Sequence, residues 1–264
     1  MKIIEKFIKG KAADQTLCED RLLVTESFIA VVDGVTSKST RSFDGKTGGV
    51  AAAEAVYDEI CKFPCDITVE NATRRLTRAV ASLYEKGEEK GCAAAGVIIL
   101  SLSRNEIWSI GDCQCIINGE KHLHEKEIDI LLSQKRAEIL EEAIESGVTE
   151  AQLLESDIGR EEILPTLKEQ HRYANTIGEL GFAVINGTPV PEEMIVTYSV
   201  KKGDTIILAS DGYPFLCDTL YESERLLEKE LSENPLCYKN YKSTKGIKED
   251  NLSFDDRTYI KIEI

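Results

Sequence analysis
Four apolar stretches of this chain meet carboxylates at their ends. FIAVVDG closes on Asp33-Gly34, IWSIGD on Gly111-Asp112 and TIILASDG on Asp211-Gly212, while Asp255-Asp256 opens the alternating stretch RTYIKIEI. A lone carboxylate beside an apolar core is costly unless it is paired, protonated or bound to a cation. Taken singly, each is accounted for as a turn residue, because Asp-Gly favours hairpin turns and Asp side chains satisfy turn backbones. Four converging acids need more: either each finds its own partner or they share metal ions. Oxygen-only ligation with no nearby His or Cys selects hard cations, Mg²⁺ or Mn²⁺. Two such ions bridged by one carboxylate activate water against a phosphate ester.

Other chemistries lack their residues. A haloacid-dehalogenase-type phosphatase also carries Asp-Gly-x-Thr after a buried strand, but its nucleophilic aspartate stands two residues earlier, where this chain has Val31. There is no GxxxxGK[ST] loop, no GxGxxG after a strand and no GxSxG elbow, so nucleotide hydrolase, dinucleotide oxidoreductase and serine hydrolase readings have no motif. The eight cysteines (18, 61, 65, 92, 113, 115, 217 and 237) form no CxxC and read as reduced, mostly buried thiols. His122 and His124 form an HLH that reads as an exposed segment after the Asn118-Gly119 turn rather than as a metal site.

Lys and Arg total 32 against 47 Asp and Glu, a formal charge of −15. Nucleic acid and anionic membranes repel such a chain on average, whereas divalent cations and basic peptide segments are attracted. With 264 residues, 42% hydrophobic and 30% charged, the composition is that of an ordinary globular protein, and one domain over 1–264 is expected. MKIIEKFIKGKAADQ breaks its apolar residues with Lys and Glu, and no later run approaches membrane length. A cytoplasmic protein with neither membrane nor nucleic-acid partner is the expectation.

The elements that must position the acids follow from period and punctuation. RLLVTESFIAVV reads as a hairpin around Thr25-Glu26-Ser27, and a second hairpin spans 93–102 and 107–110. Two amphipathic helices lie between them, one starting at Gly48 and one presenting Ala72, Leu76, Ala79, Val80 and Leu83. Residues 135–146 and 149–156 read as short helices, and the polar stretch 157–175 shows no strong period. A third hairpin is expected from 194–200 and 204–210, then a helix over TLYESERLLEKELSEN, a loop over KSTKGIKEDNLS and a final strand. Hairpins separated by grouped helices indicate an α+β layered domain rather than a βαβ doubly wound sheet.

At this point the motifs resemble, in order along essentially the whole chain, the metal-dependent protein phosphatases (PPM, protein phosphatase 2C-like), in particular bacterial-type members. CEDR at 18–21, VVDG at 31–34, the glycine pair 48–49, GCAAAGVIIL, SIGDCQ, ILASDG and DDRTYIKI are similar to that family's signatures. The resemblance implies a four-layer αββα sandwich, two central antiparallel sheets flanked by helices. It implies that Asp33 bridges two Mg²⁺ or Mn²⁺ ions, that Asp211 and Asp255 complete one, and that Glu19 with the Gly34 carbonyl completes the other. Asp112 would help to hold a third ion, and Asp20 would orient the attacking water. The activity implied is hydrolysis of phosphoserine and phosphothreonine in a phosphorylated protein substrate, by direct attack of the water that the two ions activate.

Three positions depart from the family pattern. The arginine that grips the substrate phosphate is replaced by Gln15, leaving Lys11 as the nearest upstream cation and the candidate substitute. The histidine that follows Asp-Gly in many eukaryotic members is Val35, and Cys113-Gln114 replaces a Ser-Arg. Segment 157–192 lies where the family places a variable flap, and Arg160, Lys168, His171 and Arg172 offer positive charge there. Two alternatives stay open: a small-phosphomonoester hydrolase, and a phosphatase-fold binding or sensor module that lacks turnover.

Overall fold
The computed structural model describes residues 1–88, 90–248 and 250–264. Its strands are β1 (Lys2–Lys9), β2 (Arg21–Val24), β3 (Phe28–Gly34), β4 (Ala95–Ser101), β5 (Glu106–Ile110), β6 (Gln114–Ile117), β7 (Glu120–His122), β8 (Val196–Ser199), β9 (Thr205–Ala209) and β10 (Arg257–Glu263). The helices are α1 (Gly48–Ile60), α2 (Val69–Ala81), α3 (Glu127–Glu145), α4 (Glu150–Glu155), α5 (Ile158–Glu169) and α6 (Leu220–Glu233). The strands form two five-stranded sheets, ordered β2-β3-β4-β5-β8 and β1-β10-β9-β6-β7. Their pairings are antiparallel.

The continuous apolar runs of β3, β4 and β9 make sense once both faces are counted. Along a strand successive side chains point to opposite faces, and a strand covered on both sides needs apolar residues at every position. Ile29, Val31, Ile98 and Leu100 face the second sheet, where they meet Cys115, Ile206, Leu208, Ile260 and Ile262. Phe28, Ala30, Val32, Val97 and Ile99 face the other way, against Ala52, Val56, Leu76 and Val80 of α1 and α2. On the far side Ile207, Ala209 and Tyr259 pack with Leu227 of α6. The four-layer αββα sandwich is therefore present.

Four sequence expectations need correction. Strands β8 and β9 do not form a hairpin: β8 pairs with β5, and β9 lies between β10 and β6 in the other sheet. β8 is an exposed, polar edge strand and β9 is buried on both faces, so the short turn between them passes from one sheet to the other. Strand β1 escaped notice because it is an exposed edge strand broken by Lys and Glu, a composition that also discourages edge-to-edge pairing. The polar stretch after 157 is helix α5, capped by Asp157 and anchored through Ile163 and Leu167. Pro165 interrupts its hydrogen-bond ladder and obscures its period. Helix α3 begins at Glu127, well before the expected 135.

Half of the cysteines, 18, 113, 115 and 237, are buried, and all eight are free thiols. His122 ends β7; His124 meets the Tyr198 hydroxyl at 3.1 Å and lines the cavity that holds the acids described next. None of the described helices is long and apolar enough to cross a membrane.

Candidate active site
Strand parity carries the acids to one end of the gap between the sheets. Asp33 follows Ile29 and Val31 on the face of β3 that looks into that gap, so the row that builds the core also delivers the carboxylate. Gly34 follows because there is no room for a side chain: a Cβ would stand 2.5 Å from the Gly49 carbonyl oxygen and 2.6 Å from that of Glu19. At Gly49 a Cβ would lie 2.5 Å from Glu19 Oε1, so the glycine pair opening α1 lets the helix start against the Glu19 carboxylate. Thr47 caps that helix at Val50 N and donates its hydroxyl to Glu19 Oε1 at 2.7 Å.

Asp33, Asp112, Asp211 and Asp255 line one cavity of about 190 Å³, together with Gly34, Lys38, Lys126 and Lys245. The acids fall into two electrostatic groups. In the first, Lys11 Nζ lies 2.9 Å from Glu19 Oε2, 3.2 Å from Asp255 Oδ1, 3.0 Å from Asp256 Oδ2 and 2.9 Å from Thr36 Oγ1. Burial alone would lower the Lys11 pKa, but Asp255, Glu19 and Asp256 outweigh it and hold the ammonium charged above the usual lysine range. Lys245 pairs with the other Asp255 oxygen at 2.5 Å. Burial pushes Asp255 up, yet Lys245 and Lys11 reverse this and leave its carboxyl below the usual range. Asp256 also accepts from the backbone N–H groups of Lys11 and Glu19, which ties the loop after β1 to the start of β10.

Among the described residues the second group forms no ion pair. Asp33 and Asp211 are both pushed well above the usual carboxylate range, first by burial and then by repulsion. Asp20, Asp112 and Asp255 act on Asp33, and Asp33, Asp112 and Asp255 act on Asp211. Asp20, 1% exposed, is pushed up to about 8 by burial, although Ser210 and Thr258 each donate a hydroxyl to its Oδ2 at 2.7 Å. Its Oδ1 has no hydrogen-bond partner among the described residues. Asp112 lies between the two groups, paired with Lys126, whose ammonium is held above the usual range despite its burial.

Oxygen donors that are half-buried and mutually repelling fit a hard divalent cation at Asp33 and Asp211. The fit is poorer at Glu19, where Lys11, Thr36 and Thr47 already occupy both carboxylate oxygens. Among the described residues no group of three or more His, Cys, Asp or Glu side chains is closed around one point as a metal site.

The structure thus brings Asp33, Gly34, Asp112, Asp211 and Asp255 to one cavity wall and sets Glu19 and Asp20 behind it. Lys11, expected to meet a substrate phosphate, instead spends its ammonium on three acids and a threonine, and it lies outside the cavity lining. The roles of Lys126, Lys245, Thr36, Thr47, Ser210 and Thr258 had not been foreseen. Of these only Thr47 carries a local signal, an N-cap residue directly before a helix; the others act through contacts distant in sequence.

No family profile matches the chain, and no curated protein sequence does either. Its three-dimensional form does have relatives among solved structures. The catalytic domain of the serine/threonine protein phosphatase PstP, solved with two manganese ions, superposes with a TM-score of 0.52 at 14% identity, over 99% of this chain and 98% of that one. The Mycobacterium tuberculosis serine/threonine phosphatase PstP/Ppp gives 0.53 at 14% identity, over 100% and 99%. The photosystem II phosphatase PBCP gives 0.50 at 14% identity, over 100% and 99%. The chain shares the fold of the PPM-type serine/threonine phosphatases that its sequence motifs resemble.

Proposed function
We propose that the protein is a single-domain, metal-dependent phosphoprotein phosphatase that hydrolyses phosphoserine and phosphothreonine. The observation that carries this reading is the convergence of Asp33, Asp112, Asp211 and Asp255 on one open cavity, with Asp33 and Asp211 destabilised by burial and by each other. The solved PstP catalytic domain, alike in fold, holds two manganese ions, which supports a divalent-cation centre here.

In this reading Asp33, Asp211 and Asp255, with the Gly34 carbonyl and Glu19, hold the cations, and Asp112 contributes to a further position. Divalent cations bound there supply Lewis acidity, lowering the pKa of water and neutralising developing charge on the phosphoryl oxygens. The protein's own contribution is rigidity. Lys11 and Lys245 fix Asp255, Thr47 and Lys11 fix Glu19, and Ser210 and Thr258 fix one oxygen of Asp20 while the other remains able to accept a hydrogen bond. Asp20 orients the attacking water with that oxygen. At position 35 valine offers no proton, so the leaving alkoxide takes its proton from solvent or from another acid.

A second reading, a phosphatase-fold binding module without turnover, is favoured by one observation: Lys11, Lys126 and Lys245 already neutralise part of the acidic centre. Assaying the metal-stripped protein on p-nitrophenyl phosphate and on a phosphothreonine peptide, while titrating Mn²⁺ and Mg²⁺, separates the two. Metal-dependent turnover that disappears in Asp211→Asn is the expected result. Saturable phosphopeptide binding without turnover at any metal concentration would establish the module instead.

A further inference from the structure
A second cleft, of about 340 Å³, opens beside the acidic cavity and shares Thr36, Lys38, Lys126 and Gln170 with it. The two have opposite electrostatic character. Among the described residues the second cleft is lined by Lys38, Lys90, Lys126, Lys168 and His171 and by no Asp or Glu. In a chain with 47 acids and a net charge of −15, a basic lining without acids among the described residues is unusual. Ala94, Leu167, Phe182 and Val184 add apolar surface, so the cleft offers both charge and a hydrophobic seat.

Two of the four lysines are already engaged: Lys126 pairs with Asp112, and Lys90 donates to the Gly187 carbonyl at 3.1 Å. Lys38 makes no hydrogen bond or ion pair among the described residues, although it lines both cavities. Burial and the nearby Lys245 push its pKa down to about 8. A partly buried ammonium without an ion-pair partner gains from an incoming anion. Its backbone is well placed to stay put, since the Thr36 hydroxyl two residues earlier is clamped between Lys11 and Glu19. Lys168 and His171 are exposed further along, joined through the Lys168 carbonyl and His171 Nδ1 at 2.8 Å.

We propose that this cleft is the substrate groove and that it selects acidic phosphopeptides. Lys38, at the junction of the two cavities, grips the phosphate, and Lys168 and His171 meet negative side chains flanking the phosphorylated residue. The assignment rests on the phosphatase reading and narrows it to a substrate class. It also supplies the cation that Gln15 and the committed Lys11 do not.

The test compares three phosphothreonine peptides that differ only in having Glu, Ala or Lys at the flanking positions, hydrolysed by the Mn²⁺-loaded protein. The acidic peptide is expected to have a kcat/KM about tenfold or more above the Ala peptide, the gain of a charge-assisted contact, with the Lys peptide lowest. Added salt should shrink that preference. Lys168→Glu should abolish the preference through KM, and Lys168→Arg should retain it; Lys38→Met should raise KM for all three peptides, with Lys38→Arg restoring most of the loss. Thermal melts confirm that each variant folds. Equal turnover of the three peptides by the wild-type protein would overturn the groove and leave the phosphatase reading intact. If the wild-type protein hydrolyses none of them, the phosphatase reading fails, and fluorescence anisotropy with the same labelled peptides decides the groove. Tighter binding of the acidic peptide, lost in Lys168→Glu, would support it; equal binding would overturn it.

Discussion

The Lys11 side of the acidic centre and the Asp33–Asp211 side are built from the same carboxylates, yet they stand in opposite electrostatic states. Around Lys11, three acids share one buried ammonium, and Lys245 holds the outer oxygen of Asp255. Asp33 and Asp211 form no ion pair among the described residues; burial first and neighbouring acids second raise their pKa values, and Lys245 offsets only part of the rise at Asp211. On the first side the acids already meet ammonium groups of the chain, which fix Glu19 and Asp255 in place. The second is left with a deficit of positive charge, which is the physical condition for taking up a cation from solution.

The sharpest way to break this comparison is at Asp33. Asp33→Ala should reduce phosphomonoester hydrolysis by on the order of 10³-fold, the scale of removing a principal electrostatic group from a reaction centre. Without metal the same variant should melt no lower than wild type, because a repelling buried charge has gone. A melting temperature well below wild type, with activity retained, would show that Asp33 is structural.

Lys11→Met probes the other side. Removing one partner of a buried network leaves its acids uncompensated, so urea unfolding should reveal a loss of about 3 kcal/mol. A loss near zero would mean that water replaces the ammonium and that the two sides do not differ in kind.

Mn²⁺ at about 100 times its Kd should stabilise the wild-type protein by about 2.7 kcal/mol, read as a rise in melting temperature. Most of that rise should vanish in Asp211→Asn, whereas a full rise in the variant would place the cation elsewhere. The smallest effect is expected at Thr47→Ala, about 1 kcal/mol from loss of the helix cap, together with a loosened Glu19. Unchanged stability on denaturant titration would show that another group takes over the cap.

The acids themselves were legible in the sequence because each ends or opens an apolar run, and strand parity is a local property. Asp33 shares a face with Ile29 and Val31 whatever the rest of the chain does. The β2–β3 and β4–β5 hairpins were legible for the same reason, each joining two apolar runs across a short polar turn. What escaped was weakly patterned or decided at a distance. β1 is an exposed, charged edge strand, α5 carries Pro165 within a narrow apolar stripe, and β8 and β9 look like a hairpin until their pairing partners are known. Lys11 had been assigned to the substrate phosphate because it was the nearest upstream cation. Its ammonium meets Asp255 and Asp256, 244 and 245 residues away, contacts that position along the chain does not reveal.

By itself, then, the sequence determined which strands would be buried on both faces and that their ends would carry carboxylates, because apolar runs and side-chain alternation are written residue by residue. Only the tertiary structure decided which of those carboxylates are neutralised from within and which are not. That outcome depends on Lys11, Lys126 and Lys245 being carried by loops and a helix start onto acids of other elements. Coulomb energy depends on distance through space, and no local pattern records it.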